Sequence, residues 1–71
     1  MIPQNSKEKT MNYQRYHILD KHETIKEFQS RYDETKEDAI DYIYSVLRDY
    51  EKLTLLVFHN GEEVLREEYK F

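Results

Sequence analysis

Carboxylates are the side chains of this sequence whose number and spacing could do chemistry. Residues 33–51 carry seven acids and two bases, a charge of −5, whereas the whole 71-residue chain carries −4. Glu34, Glu37, Asp38 and Asp41 are three or four residues apart, which on a helix places their Cβ atoms roughly 5–6 Å from one another. A one-sided negative surface of this kind complements a partner with a positive surface.

Conventional helix electrostatics accounts for part of this acidic segment. The helix dipole favours acids in the first turn, and this explains the carboxylates up to Asp38. The dipole does not explain the acids Asp41, Asp49 and Glu51. Ordinary helix surfaces also carry both signs of charge, whereas this one is mainly acidic. Two interpretations stay open at this point: a solvated helix surface and a functional acidic surface.

A second group of acids follows an Asn60-Gly61 pair. Glu62, Glu63, Glu67 and Glu68 extend the negative character, although bases are interspersed among them. Acids on an outer strand also protect its edge from aggregation, which is the competing explanation.

From both groups we select nine candidate partner-binding residues. They are Glu34, Glu37, Asp38, Asp41, Asp49, Glu62, Glu63, Glu67 and Glu68.

Other kinds of site have little support in the composition. The chain has no Cys, three His and one Gly, so thiolate sites and glycine-rich phosphate loops are excluded. His17, His22 and His59 have neither metal-ligand spacing nor a nucleophile partner. We expect no catalytic residues, no metal and no cofactor, and hence no enzyme. A pI near 5.3 argues against direct binding to nucleic acid or to anionic membranes.

The elements that position the acids follow from the apolar pattern. Residues 13–19 and 24–28 predict two strands, the second less clearly. Residues 34–51 predict an amphipathic helix, with Asp33 or Thr35 as the N-cap and Thr35–Asp38 resembling a capping box. Residues 53–58 and 62–71 predict a hairpin around Asn60-Gly61.

The predicted fold class is α+β. It is a small antiparallel sheet in β-β-α-β-β order, or β-α-β-β without the second strand, with one helix packed on it. We expect a flexible arm over residues 1–10 and a single domain over 11–71. A two-residue loop would pair Val57 with Val64, and a bulged loop would shift the register by one.

Apolar residues are expected on both faces of this sheet. Leu53, Leu55 and Val57 alternate with Leu56 and Phe58, and a single helix covers one face only. We therefore expect a homodimer, in which a second chain covers the other face. With no long apolar run and no Cys, we expect an intracellular, cytoplasmic protein.

Rows of carboxylates on a folded body resemble the charge array of DNA. Duplex DNA presents one negative charge per about 1.7 Å of axis. A dimer would double the charge of the chain and present two related rows. The sequence thus leads to the hypothesis of a DNA mimic that occupies the binding surface of a basic DNA-binding protein.

The short length, the acidic helix over Asp33–Glu51 and the acidic hairpin over 62–68 resemble small host-takeover proteins of lytic Bacillus phages. The resemblance is one of general pattern across most of the chain. It implies a dimeric DNA mimic that inhibits the nucleoid-associated protein HU and is associated with the nucleoid through that partner. One departure is the modest net charge of −4, so that any mimicry has to be confined to one side of the molecule.

Two alternatives from other functional classes stay open. One is a phage-type adaptor that inhibits a host enzyme through the apolar sheet surface. The other is an accessory or antitoxin-like domain that binds through residues 1–12.

Overall fold

The computed structural model describes residues 13–71, so the predicted arm over residues 1–10 lies outside the described residues. The described part has an α+β fold in β-β-α-β-β order, which confirms the fuller of the two predicted orders. Its elements are β1 (Gln14–Asp20), β2 (Glu23–Gln29), a 3-10 turn (Ser30–Tyr32), α1 (Lys36–Tyr50), β3 (Lys52–His59) and β4 (Glu62–Lys70).

The four strands form one antiparallel sheet in the order β2-β1-β3-β4. Two hairpins supply the outer pairs, and α1 connects β2 to β3 so that β1 and β3 pair in the centre. Consequently β2 and β4 are both edge strands within the described chain.

The core lies between α1 and one face of the sheet. Ile18 of β1, Ile43 of α1, and Leu53 and Leu55 of β3 are fully buried. Ala39 and Leu47 continue the buried stripe of α1 at helical spacing. The predicted alternation in β3 is confirmed, because Leu53, Leu55 and Val57 all belong to this core while Leu56 does not.

The ends of α1 are set by local hydrogen bonds. Thr35 is the N-cap and forms a complete capping box with Asp38. Of the two predicted N-cap candidates, Asp33 and Thr35, the structure confirms Thr35. Asp33 instead adopts a left-handed conformation (φ 62°) at the end of the 3-10 turn. Glu51, with φ 69°, donates its N–H to the carbonyl of Leu47 and ends the helix one residue before the predicted limit.

The β3–β4 hairpin combines features of both predicted registers. Asn60 and Gly61 form a two-residue loop with positive φ angles of 53° and 93°. A bulge then lies between the pairs Phe58–Glu63 and Val57–Leu65. The Val57–Val64 pairing of the first alternative is therefore wrong, because Val64 is the extra residue of the bulge and is 59% exposed. Val57 pairs with Leu65 instead, which is the shift by one residue that the bulged alternative predicted.

We call the sheet face opposite α1 the open face. It carries Arg15, His17 and Leu19 of β1, and Thr54, Leu56 and Phe58 of β3.

Leu56 is only 8% exposed although no helix covers the open face. Its cross-strand neighbours are His17 on β1 and Arg66 on β4. Long side chains can cover apolar surface with their aliphatic stems. We attribute the burial of Leu56 to these cross-strand neighbours rather than to a second layer of secondary structure.

Candidate protein-interaction surface

The acids of α1 lie on the side of the helix that faces away from the sheet. Glu37, Asp38, Asp41 and Asp49 are all exposed, and we call these four residues the helix acids. Glu37 and Asp41 are one turn apart, which corresponds to a rise of about 6 Å along the helix axis. Within residues 13–71, neither Asp41 nor Asp49 forms an ion pair or a side-chain hydrogen bond.

Two of the predicted acids have a local structural role. An Asp38 carboxylate oxygen accepts a hydrogen bond from the Thr35 N–H at 2.9 Å, and the Asp38 N–H donates to Thr35 Oγ1 at 3.2 Å. Glu34 lies before the helix, and its Oε1 accepts from the Gln29 N–H at 2.8 Å. Both carboxylates therefore have a structural role, because they accept hydrogen bonds from backbone N–H groups near the start of α1. Asp38 still contributes its charge to the helix surface.

Asp49 is in the last turn of α1, where the helix dipole disfavours an anion. The neighbouring Arg48 is the basic residue of that turn. Neither capping nor the dipole therefore explains Asp49, which distinguishes it from the acids of the first turn.

The four hairpin acids divide between the two sides of the sheet. Glu67 pairs with Leu55 across the strands and lies on the α1 side, and Glu62 shares that side through its pairing with His59. Glu63 and Glu68 lie on the open face. The sequence placed all four in one group, whereas the structure brings only two of them to the side of the helix acids.

The open face has its charges arranged in pairs. Arg15 Nε lies 2.7 Å from Glu27 Oε2, Arg66 Nε lies 3.3 Å from Glu63 Oε2, and Lys52 Nζ lies 3.6 Å from Glu68 Oε2. Each open-face acid therefore has a cation beside it. On the α1 side Glu67 is paired as well, with Lys36 Nζ 3.9 Å from its Oε1. The acids without an ion-pair partner on that side are therefore mainly those of α1 itself.

Tyrosines border the helix acids toward β4. The rings of Tyr44 and Tyr69 meet edge to face with centroids 5.8 Å apart. The Tyr69 hydroxyl donates to Glu67 Oε1 at 2.9 Å. Burial, followed by the hydrogen bond to Glu67, raises the pKa of Tyr69 to about 12. Tyr69 thus stays a neutral hydrogen-bond donor that fixes the Glu67 carboxylate.

The Tyr44 side chain is 65% exposed. It is three residues after Asp41 and therefore on the same exposed surface. Exposed tyrosines beside charges often contribute strongly to protein interfaces. The signal for Tyr44 was present in the helical spacing, since it falls between the apolar stripe and the acids.

The field of Glu37 also reaches the sheet. Burial and, secondarily, the Glu37 carboxylate raise the pKa of Tyr16 on β1. Glu37 thus acts electrostatically on the core side as well as toward solvent.

The described residues contain no group of three or more His, Cys, Asp or Glu side chains arranged to hold a metal ion. Among the same residues, α1 is too short and too polar to cross a membrane.

Comparisons with known proteins identify no relative of this chain. No family model, no curated protein and no solved structure matches it.

Proposed function

We propose that this protein is an acidic DNA mimic that binds a basic, HU-like DNA-binding protein in the cytoplasm of a bacterial host and blocks its access to DNA. The observation that carries the proposal is the unpaired acidic surface of α1. Asp41 and Asp49 have no partner in the described chain, and neither residue has a role in helix capping.

The spacing of the helix acids is compatible with a phosphate array. Glu37 and Asp49 are twelve residues apart, which corresponds to about 18 Å along the helix. Successive phosphates of one DNA strand advance by about 3.4 Å along the duplex axis. Over this length one strand presents about six phosphates and the helix four carboxylates, with about 12 Å between Asp41 and Asp49. Arg48 reduces the negative charge further near the C-terminal end.

The separation of charge between the two sides supports the same interpretation. The open-face acids have Arg or Lys partners, so that face offers little net field to a cationic protein. Basic DNA-binding surfaces recognise phosphates through Lys and Arg. The same side chains are attracted to carboxylates that lack local partners.

The proposal includes a homodimer, whose formal charge would be about −8 from two chains of −4 each. Exposed apolar side chains near β4 support self-association through that edge strand. Val64 is 59% exposed and Phe71 is 76% exposed. Sedimentation equilibrium of the full chain tests this part, and a monomer at all concentrations would contradict it.

The test is competition for a labelled duplex bound to purified HU, followed by fluorescence anisotropy. The variant Glu37→Lys/Asp41→Lys leaves the Thr35–Asp38 cap intact. We expect it to require at least tenfold more protein to displace DNA. We also expect displacement to weaken as salt rises, since phosphate-like contacts are screened.

The matched control is Glu63→Lys/Glu68→Lys, which changes the net charge equally but on the open face. It should alter the competition less than threefold. Equal losses for the two double variants would show that only total charge matters and would reject the helix acids as the binding surface. Failure of the unmodified protein to displace DNA would reject the mimic itself.

A second candidate function is favoured by Phe58, which is partly exposed on the open face next to Leu56. In this alternative the protein is a phage-type adaptor that inhibits a host enzyme through that apolar surface. Its interface would tolerate salt and would be lost in Phe58→Ser. It is less well supported, because Leu56 is already covered by its neighbours in the chain.

A further inference from the structure

A cleft of about 550 Å³ lies at one end of the sheet, where the β1–β2 turn meets the junction between α1 and β3. Its size is in the range of small-molecule sites. Leu19 and Thr54, which are cross-strand partners on the open face, are among its lining residues. None of the nominated helix acids lines it.

Thr54 is a mostly buried residue that presents a hydroxyl group to the cleft. Its side chain lines the cleft and the residue is only 9% exposed. Its hydroxyl forms no hydrogen bond with any other residue of the described chain. No side-chain polar atom of the described residues is both fully buried and without a hydrogen-bond partner, so this hydroxyl is accessible from the cleft. It can donate a hydrogen bond to a ligand or accept one from it.

The lining has the opposite charge from the rest of the protein. Lys21, Lys52 and Arg66 contribute three positive charges, and Asp20 and Glu68 contribute two negative ones. The cleft therefore carries a formal charge of +1 in a chain of −4.

Two of the three cations already have carboxylate partners, since Arg66 Nε lies 3.3 Å from Glu63 Oε2 and Lys52 is paired with Glu68. The pairing of Lys52 with Glu68 is 3.6 Å long, and both side chains are more than half exposed. Exposed ion pairs of this kind contribute little to stability. An anion with stronger charge and more acceptor oxygens than a carboxylate can displace them.

An aromatic surface completes the site. The Tyr50 ring at the end of α1 lines the cleft and is 37% exposed. It offers a face on which a flat, heterocyclic group can stack.

We propose that this cleft binds a small organic phosphate with an aromatic group, such as a mononucleotide. The phosphate lies among Lys21, Lys52 and Arg66 and accepts a hydrogen bond from Thr54, while the ring stacks on Tyr50. This site is separate from the acidic surface, so it does not depend on the DNA-mimic function.

The experiment is a titration of the ¹⁵N-labelled full chain with adenosine monophosphate, inorganic phosphate and adenosine. We expect saturable amide shifts at Lys21, Thr54 and Arg66 with adenosine monophosphate and much weaker effects with adenosine. Inorganic phosphate acting on the same residues would support recognition of the phosphate group. Adenosine binding as tightly as its monophosphate would overturn the proposal.

Variants assign the binding to the cleft. Thr54→Val removes the hydroxyl with little change in shape and should weaken binding at least fivefold. Arg66→Gln, on an exposed position, provides a second test that does not depend on the buried site. Lys26→Gln is the control, because Lys26 lies over the Phe28 and Tyr42 rings on the α1 side.

Two results would overturn the proposal. One is the absence of saturable shifts up to about 10 mM ligand, ten times the Kd of a millimolar site. The other is an equal loss in Lys26→Gln and Arg66→Gln, which would indicate non-specific attraction to surface cations.

Discussion

Thr35 and Asp38 exchange two hydrogen bonds at the start of α1, each side chain accepting from the backbone N–H of the other. This reciprocal pair satisfies two backbone donors that the helix itself leaves without partners. It also holds the first turn, which carries Glu37 and leads into the turn that carries Asp41. The capping box therefore connects the stability of the fold to the geometry of the proposed binding surface.

Replacing Thr35 with Ala removes the side-chain acceptor of this pair. We expect the free energy of unfolding to fall by about 1 kcal/mol, the usual cost of losing an N-cap. Urea unfolding followed by circular dichroism measures the change. Ser45→Ala is the control, since Ser45 is exposed in the middle of α1 and donates to the Tyr42 carbonyl. Equal destabilisation in both variants would show that the cap contributes nothing specific.

The Asn60-Gly61 turn allows a test of backbone conformation without steric interference. Gly61 has φ 93°, and a Cβ placed there meets no atom within 4 Å. We expect Gly61→Ala to lower the free energy of unfolding by roughly 1–2 kcal/mol, because an L-residue is strained at positive φ. Thermal unfolding measures it. An unchanged melting temperature would mean that the turn relaxes into another type.

The parts of the fold predicted correctly are those determined by local patterns. The alternation of Leu53, Leu55 and Val57 defines the core face of β3, and the Thr35–Asp38 spacing defines the start of α1. The sequence left the hairpin register open between a plain and a bulged alternative, because the choice depends on how β4 packs beside β3 rather than on the turn residues. A shift by one residue exchanges the faces of a strand. For this reason the sequence could not tell that Glu63 and Glu68 lie on the open face.

The sequence predicted one part of the candidate site and not the other. Helical periodicity was sufficient to place Glu37, Asp41 and Asp49 on one exposed surface. The partners of Glu63 and Glu68 are set by tertiary register, so sequence spacing could not identify these acids as paired. The Thr54 cleft depends on three separate segments meeting in space and gave no sequence signal.

Glu27 on the open face makes the free energy of unfolding depend on pH in the acidic range. The hydrogen bond from Arg15, and then nearby positive charge, lowers the pKa of Glu27 below its ordinary value of 4.5. A lowered folded-state pKa means that the stabilisation is present above the unfolded-state pKa and is lost as pH falls through the folded-state pKa. We expect the melting temperature to fall on acidification below about pH 4.5 and expect Glu27→Gln to reduce this slope. A melting curve that responds equally to pH in both proteins would contradict the assignment.

His17 contributes in the same direction at higher pH. Burial lowers its pKa below 6.5, and this effect outweighs the opposing attraction of Glu27. The ring is held edge to face against Phe58 with centroids 5.0 Å apart. The neutral ring is therefore favoured in the folded state, and stability declines as pH falls below about 6.5. NMR titration of the His17 ring protons should give a midpoint below that value, and a midpoint above it would show that Glu27 dominates.

At alkaline pH the sensitive group is Tyr69. Its pKa is raised to about 12 by burial and by its hydrogen bond to Glu67. A raised folded-state pKa gives stabilisation that is complete below the ordinary value of 10 and is lost as pH rises toward 12. We expect the ultraviolet titration of tyrosine ionisation to end with a step that is absent in Tyr69→Phe. Glu67→Gln replaces the carboxylate acceptor by an amide and should move that step to lower pH, since one cause of the raised pKa is removed. A final step that does not respond to either substitution would assign it to another tyrosine and would remove the support for a neutral Tyr69 beside the helix acids.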